Sequence, residues 1–224
     1  MATYIKRHDF WARLAHWAYA VCGVSLMLTG LCLFVPGAGK ALGIDALRVT
    51  TLLHRVFGAA FVAIPLLSYA IAPQNLVHSM KNLFRKWDDD DKVFMKYFFA
   101  YLFNPKKYHM PKQHFVKSGQ RISDMVMYFL ILVIAITGIL LWVGPGTIPL
   151  WLFQLSKFGH DLAFFGMGVE FVLHLYLGAG MFQPYRRLPR VMFGDGYVLE
   201  ADALYHWGHW AEEELTSGEN VVVK

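Results

Sequence analysis

Apolar residues run in long blocks along this chain, and prolines, glycines and clusters of charge separate the blocks. A block of roughly 20 apolar residues with little amphipathic alternation spans a bilayer as a helix, because in hydrocarbon the backbone must satisfy its own hydrogen bonds. The pattern predicts four spans, Ala15 to Val35, Ala46 to Ala72, Ile122 to Val143 and Phe158 to Phe182. Pro36-Gly37 closes the first, Pro73 the second, Gly144-Pro145-Gly146 the third and Gln183-Pro184 the fourth. The expected fold is an all-α integral membrane protein, a four-transmembrane-helix bundle forming one membrane domain over residues 1–224. A long connection at 74–121 and a tail at 183–224 complete it.

Composition agrees with that pattern. The chain is 56% hydrophobic and 16% aromatic, and only 17% of it is charged, against about a quarter in ordinary soluble domains. Disorder, a collagen-like rod and a disulfide scaffold are excluded. Cys22 and Cys32 fall in one span, about 15 Å apart along a helix, too far for a disulfide. No Cys-x-x-Cys-His is present to attach a c-type haem. The mixed, charged start predicts no cleavable signal peptide.

The net charge of +5 reads as topology, not as nucleic-acid binding. Lys6, Arg7 and Arg13 precede span one, Arg186, Arg187 and Arg190 follow span four, and the 74–121 connection is rich in lysine and arginine. The other two connections carry few cations, Lys40 in the first and Lys157 in the third. Cations favour the cytoplasmic face, which puts both termini and the long connection there.

Within that connection the four aspartates Asp88 to Asp91 read as a solvated surface, since no calcium-loop spacing surrounds them. The aromatic stretch Val93 to Phe103 is expected to lie on the membrane surface or against a partner. The acidic tail brings Tyr205, Trp207 and Trp210, expected to pack against a soluble subunit. His109 and His114 read as solvated loop histidines, with a proton relay as the functional alternative.

Four histidines lie inside or at the ends of the spans: His16, His54, His160 and His174. Ionisable side chains are costly in hydrocarbon, so each is a functional candidate facing the bundle interior, and imidazole is a common haem-iron ligand. Because spans one and two run in opposite directions, His16 is expected near the cytoplasmic side and His54 near the outer side. His160 opens span four on the outer side. His174, fourteen residues on, is ~21 Å deeper and just under four turns away, on nearly the same helix face. Two pairs result, His54 with His160 outside and His16 with His174 inside, as two bis-histidine b haems require. Gly23, Gly58 and Gly178, one or two turns from these histidines, would leave room for a flat macrocycle. A zinc site is disfavoured, because no carboxylate or thiol completes a tetrahedron at either level.

On these residues the chain resembles the di-haem cytochrome b (gamma) subunit of membrane-bound formate dehydrogenases, within a wider family that includes the cytochrome b subunits of nickel-iron hydrogenases. The matching stretches are Arg13-Leu-Ala-His16-Trp17, Leu53-His54-Arg-Val-Phe-Gly58, Ser118-Gly119-Gln120-Arg121, and His160 with His174 at the family's spacing. The likeness covers about residues 10 to 182. It implies two haem b groups and residence in a bacterial or archaeal inner membrane. It also implies an iron-sulfur partner subunit, a catalytic molybdenum or tungsten subunit, and a higher oligomer of the complex. Electrons would pass from outside, through both haems, to menaquinone or ubiquinone on the cytoplasmic side. The quinone site implied by the resemblance maps to Lys117, Gly119, Gln120 and His174, with Lys117 standing where the family's motif has asparagine. Lys117 is also a candidate anchor for a haem propionate.

Two alternatives remain open from sequence. The catalytic partner could be a nickel-iron hydrogenase, or the chain could be a haem-free membrane anchor or transporter. Formate chemistry itself is not expected in this chain, which has neither a nucleotide-binding glycine loop nor a cysteine set for an iron-sulfur cluster.

Overall fold

The computed structural model describes residues 1–104, 106–108, 110–178, 180 and 185–224, those at 39 and 102 by backbone only. The expected end of span four at Phe182, its Gln183-Pro184 stop and His109 lie outside the described residues. In chain order the elements are β1 (Thr3–Lys6), α1 (Phe10–Phe34), α2 (Ala38–Leu42), α3 (Ile44–Ile71), α4 (Pro73–Leu83), α5 (Asp89–Phe103), α6 (Ser118–Val143) and α7 (Leu150–Gly178). After these come α8 (Pro189–Phe193), β2 (Tyr197–Leu199), α9 (Glu200–His206), α10 (Gly208–Ser217) and β3 (Val221–Val223).

Helices α1, α3, α6 and α7 are each long and apolar enough to cross a membrane, as the blocks in the sequence predict. Leu28, Leu52, Phe129 and Val169 are among many large apolar side chains that they leave exposed, which in a bilayer means contact with lipid. Span four needs correction at its start. Pro149 presets the first turn, its carbonyl accepting from the amides of Leu152 and Phe153, so α7 opens at Leu150, eight residues before Phe158. Lys157 therefore sits within α7 and pairs with Asp161 one turn on, at 3.1 Å, and the connection before α7 is the shorter for it.

The chain divides into two compact units. The first comprises Leu14–Pro73 and Tyr128–Val172. Its helices approach closely where side chains are small: a Cβ at Gly23 would meet Phe61 of α3 at 3.8 Å, and one at Gly58 would meet Leu26 of α1 at 3.9 Å. Tyr19 stacks on Phe61, ring centroids 4.1 Å apart, and Phe34 of α1 meets Phe165 of α7 edge-on at 5.3 Å.

The second unit comprises Met1–Arg13, Gln74–Met127 and Leu173–Lys224. It contains a three-stranded antiparallel sheet that the all-α expectation did not include, in the order β2-β1-β3. Tyr4 pairs with Leu199 on one side and with Val222 on the other. Under the sheet, Ile5, Val191, Val198, Ala203, Trp207, Trp210 and Ala211 form a buried core. The expectation that Trp207 and Trp210 await a soluble partner is thereby corrected, since both are consumed by the chain's own core, and only Tyr205 stays exposed. The guanidinium of Arg7 lies 3.6 Å over the Trp207 ring and 4.2 Å over that of Phe115, and donates to the Phe115 carbonyl. Burial lowers its pKa to about 9.

The aspartate run also departs from a solvated surface. Asp88 caps α5, accepting from the Asp91 amide while the Asp91 carboxylate accepts from the Asp88 amide, a reciprocal capping box. Asp89 points outward and pairs with Lys92, whereas Asp91 is 1% exposed. Its carboxylate receives Arg85 at 2.6 Å, Arg121 at 3.3 Å and the Ser118 hydroxyl at 2.8 Å. Arg121, equally buried, also donates to the carbonyls of Leu83 and Arg85 and lies 4.7 Å over the Trp87 ring. A hydrogen-bonded charge cluster thus joins the end of α4, the start of α5 and the start of α6.

Two predictions follow from these contacts. Asp91→Ala leaves Arg121 buried without its carboxylate and is expected to cost about 3–5 kcal/mol, seen as a lowered melting temperature and rapid proteolysis between residues 84 and 121. The second concerns acid. Asp195 receives Lys224 at 3.0 Å and Arg190 at 3.2 Å. Burial alone would raise its carboxyl pKa, but these cations and the Tyr197 amide outweigh it and hold the group below the usual range. A depressed carboxylate stabilises the fold above about pH 4 and loses that contribution as pH falls further. Hydrogen exchange at Val221–Val223 should therefore lose protection below about pH 4 and not at pH 6–8.

Candidate functional site

The structure brings His54 of α3 and His160 of α7 together inside the first unit. Their ring centroids are 6.2 Å apart and the planes lie at 70°. Each imidazole is held by a threonine from a neighbouring helix. Thr29 Oγ1 of α1 is 2.8 Å from His54 Nδ1, and Thr137 Oγ1 of α6 is 3.1 Å from His160 Nδ1.

The threonines also fix the tautomer. A hydroxyl has one proton to give, and Thr29 directs it to the Ser25 carbonyl at 2.7 Å, as Thr137 does to Val133 at 2.6 Å. Each threonine oxygen is then left to accept from the imidazole, which favours the hydrogen on Nδ1, and His160 has a backbone hydrogen bond with Ile134 as well. The lone pair is left on Nε2, the arrangement that a metal-binding histidine needs. Two imidazoles that shared one metal through bonds of about 2.0–2.1 Å would have ring centroids no more than roughly 6.4 Å apart once the ring radius is added. The spacing of His54 and His160 fits that arrangement.

A glycine follows each threonine, and each faces the imidazole. A Cβ at Gly30 would come within 3.3 Å of His54 Cε1, and one at Gly138 within 3.3 Å of His160 Cε1. These glycines let the rings lie against the helix backbone. Sequence reading missed Thr29, Gly30, Thr137 and Gly138, although a repeated Thr-Gly step at matching positions of spans one and three was the signal. It singled out Gly23 and Gly58 instead, which serve helix contacts, and Gly178, whose nearest neighbour is the ring of His174 on its own helix, at 3.9 Å. Among the described residues no group of three or more His, Cys, Asp or Glu is placed to hold a metal ion.

His16 lies in α1 within the first unit, ring-to-ring with Trp17 at 5.4 Å, and His174 lies in α7 within the second. The residues assigned to a quinone site fall in the second unit with His174. Gly119 packs on α5, where a Cβ would meet the rings of Phe98 at 3.1 Å and Phe94 at 3.4 Å. Gln120 is exposed, its amide 3.5 Å from Asp124. Lys117 is half-buried, with Nζ 2.9 Å from His206 Nδ1 and between the rings of Tyr185 and Trp207 at 5.2 and 5.3 Å. Burial, and then repulsion from Arg7, lower its pKa to about 7. His114 is not a free loop histidine: its Nε2–H donates to the Asp88 carboxylate at 2.9 Å and its ring stacks on His209 at 4.6 Å.

The sequence profile of prokaryotic cytochrome b561 matches residues 7–194, most of the chain. The chain belongs to that family. Cytochromes b561 of this kind are membrane electron-transfer proteins that carry haem b, and the four spanning helices make this member a multi-pass protein of a prokaryotic membrane. No curated protein shows significant similarity to it.

For a cytochrome b561 with this outer pair, the supporting threonines should matter measurably. Thr29→Val and Thr137→Val are each expected to weaken haem retention by about 10–100-fold, the usual effect of removing a group that orients a metal-bound histidine. Haem titration into the apoprotein checks this. Gly30→Val should act more strongly, by driving the His54 ring from its place.

Proposed function

We propose that this cytochrome b561 is the membrane subunit of a respiratory formate dehydrogenase complex. It passes electrons from an extracytoplasmic iron-sulfur subunit through two bis-histidine b haems to a quinone on the cytoplasmic side. The observation that carries the reading is the His54–His160 pair, spaced at 6.2 Å with both lone pairs turned to Nε2. His54 and His160 are the proposed outer ligands, and His16 and His174 the proposed inner ligands, the latter resting on helical spacing and on the resemblance.

When bound, haem b supplies reversible one-electron chemistry. The chain's own residues hold the iron through imidazole, fix the imidazoles through Thr29 and Thr137, and exclude water with the apolar faces of four helices. Charge asymmetry outside the spans supports an orientation in which electrons enter outside and protons are taken up inside. Moving an electron inward against a negative-inside potential costs roughly 2.3 kcal/mol per 100 mV, so the donor must be strongly reducing. Formate meets that requirement, and so does hydrogen. The lysine at position 117, where formate dehydrogenase subunits have asparagine, favours keeping a nickel-iron hydrogenase as the second reading.

Dithionite-reduced minus oxidised spectra with haem quantification test the core of the proposal. Two low-spin b haems per chain are expected, falling toward one in His54→Ala and in His160→Ala. Absence of haem in the native protein overturns the electron-carrier reading in favour of an anchor or transporter. Metal analysis of the co-purified catalytic subunit separates the two donors: molybdenum or tungsten supports formate, nickel supports hydrogen.

A further inference from the structure

Lys117 immediately precedes α6, and its side-chain Nζ lies 2.9 Å from Nδ1 of His206. His206 ends α9 in the C-terminal tail and is buried. The charged and titratable groups that face Lys117 are Arg7, which shares the Trp207 ring with it, and Tyr185. Tyr185 is hydrogen-bonded to Tyr101 of α5, which also bonds Tyr205 of α9. Tyr205 is 59% exposed, and its ring lies 5.0 Å from that of His206. Hydrogen bonds therefore run from water at Tyr205 through Tyr101 to Tyr185, whose ring lies 5.2 Å from the Lys117 amine.

We infer that His206 is the proton-exchange partner of Lys117, so that the tail supplies the protons consumed when a quinone is reduced beside the start of α6. The inference rests on the quinone reading above and deepens it. Converting a quinone to a hydroquinone takes two electrons, delivered by the cytochrome from its donor subunit, and two protons. As an O–H bond forms on a quinone oxygen, an N–H bond of the Lys117 ammonium breaks and leaves the neutral amine. The His206 imidazole then takes a proton from cytoplasmic water, and the amine regains its own from Nδ1–H of the resulting imidazolium along the same 2.9 Å line, leaving the imidazole neutral again. One circuit serves each of the two protons. A lysine surrounded by aromatic rings and repelled by Arg7 gives up its proton near neutrality, which suits it to this exchange.

The test uses the full haem-loaded chain and runs the reaction in reverse, with menadiol as electron donor to the haems, followed by stopped-flow absorbance from pH 5.5 to 9. The native protein should show a rate that breaks near neutral pH. His206→Ala should slow reduction by about 10²-fold and displace the break, while dithionite-reduced spectra and haem content stay native. Imidazole in the buffer should restore the rate. His206→Gln, which can still accept a hydrogen bond from Lys117 but cannot carry a proton, should remain slow. An unchanged rate and pH profile in His206→Ala overturns the inference and leaves the quinone reading intact. So does a slowed rate without displacement of the break or rescue by imidazole, because that is the mark of a merely structural role. If menadiol fails to reduce haems that dithionite reduces in the native protein, the quinone reading falls, and the exchange role falls with it.

Discussion

An imidazole inside hydrocarbon has two nitrogens to satisfy and almost nothing to satisfy them with. The arrangement around His54 and His160 follows from that constraint. One nitrogen of each ring is matched to a threonine whose own proton is already committed to its helix, and the other is left as a bare lone pair. An unfilled lone pair at such depth is costly, and the two rings, with centroids 6.2 Å apart, lie close enough for one metal to satisfy both. Helix adjacency follows in turn. Thr29 brings α1 to α3, Thr137 brings α6 to α7, and the glycines after them remove the side chains that would keep ring and backbone apart.

The spans and the histidines were legible in the sequence for one reason: a polar residue within an apolar block is a local anomaly that requires no knowledge of the fold. Thr29 and Thr137 carry no such anomaly, because threonine and glycine are ordinary in membrane helices, where hydroxyls bond the preceding turn. Their role appears only when it is known which helices are neighbours. The start of α7 was misplaced because Lys157 looked like the end of a loop, whereas Pro149 had already set the helix direction and Asp161 was there to pair with the lysine. The aspartate run misled in another way. Four identical residues invite one interpretation, yet on entering a helix they point in different directions, and Asp88, Asp89 and Asp91 end as a cap, a surface ion pair and a buried anion. The sheet was illegible because strands of three or four residues carry no alternation signal, and their partners lie nearly the whole chain apart.

The stretch Ser118 to Arg121 shows how a motif can hold two functions at once. Ser118 and Arg121 bind Asp91, and Gly119 receives the rings of α5. Only Gln120 faces outward, with Lys117 just before it turned to the tail. Three of the four residues of the motif therefore build the platform. The chemistry proposed for this region falls to residues at its edges, one of which, His206, lies beyond the stretch that matches the family.

The pairing of β1 with β3 joins the two ends of the chain, with the Ala2 amide donating to the Lys224 carbonyl and the reverse at 2.8 and 3.0 Å. Strands that share a sheet lie on one side of a bilayer, so the helices between them must cross it an even number of times. A topology in which any one of the four failed to insert would leave the ends on opposite faces and the sheet unformed. During synthesis β1 is made before its partners and waits, unpaired, until β2 and β3 leave the ribosome. Its closure records that the crossings made between the strands are even in number, and a chain in which one helix fails to insert keeps an open strand edge available to proteases and chaperones.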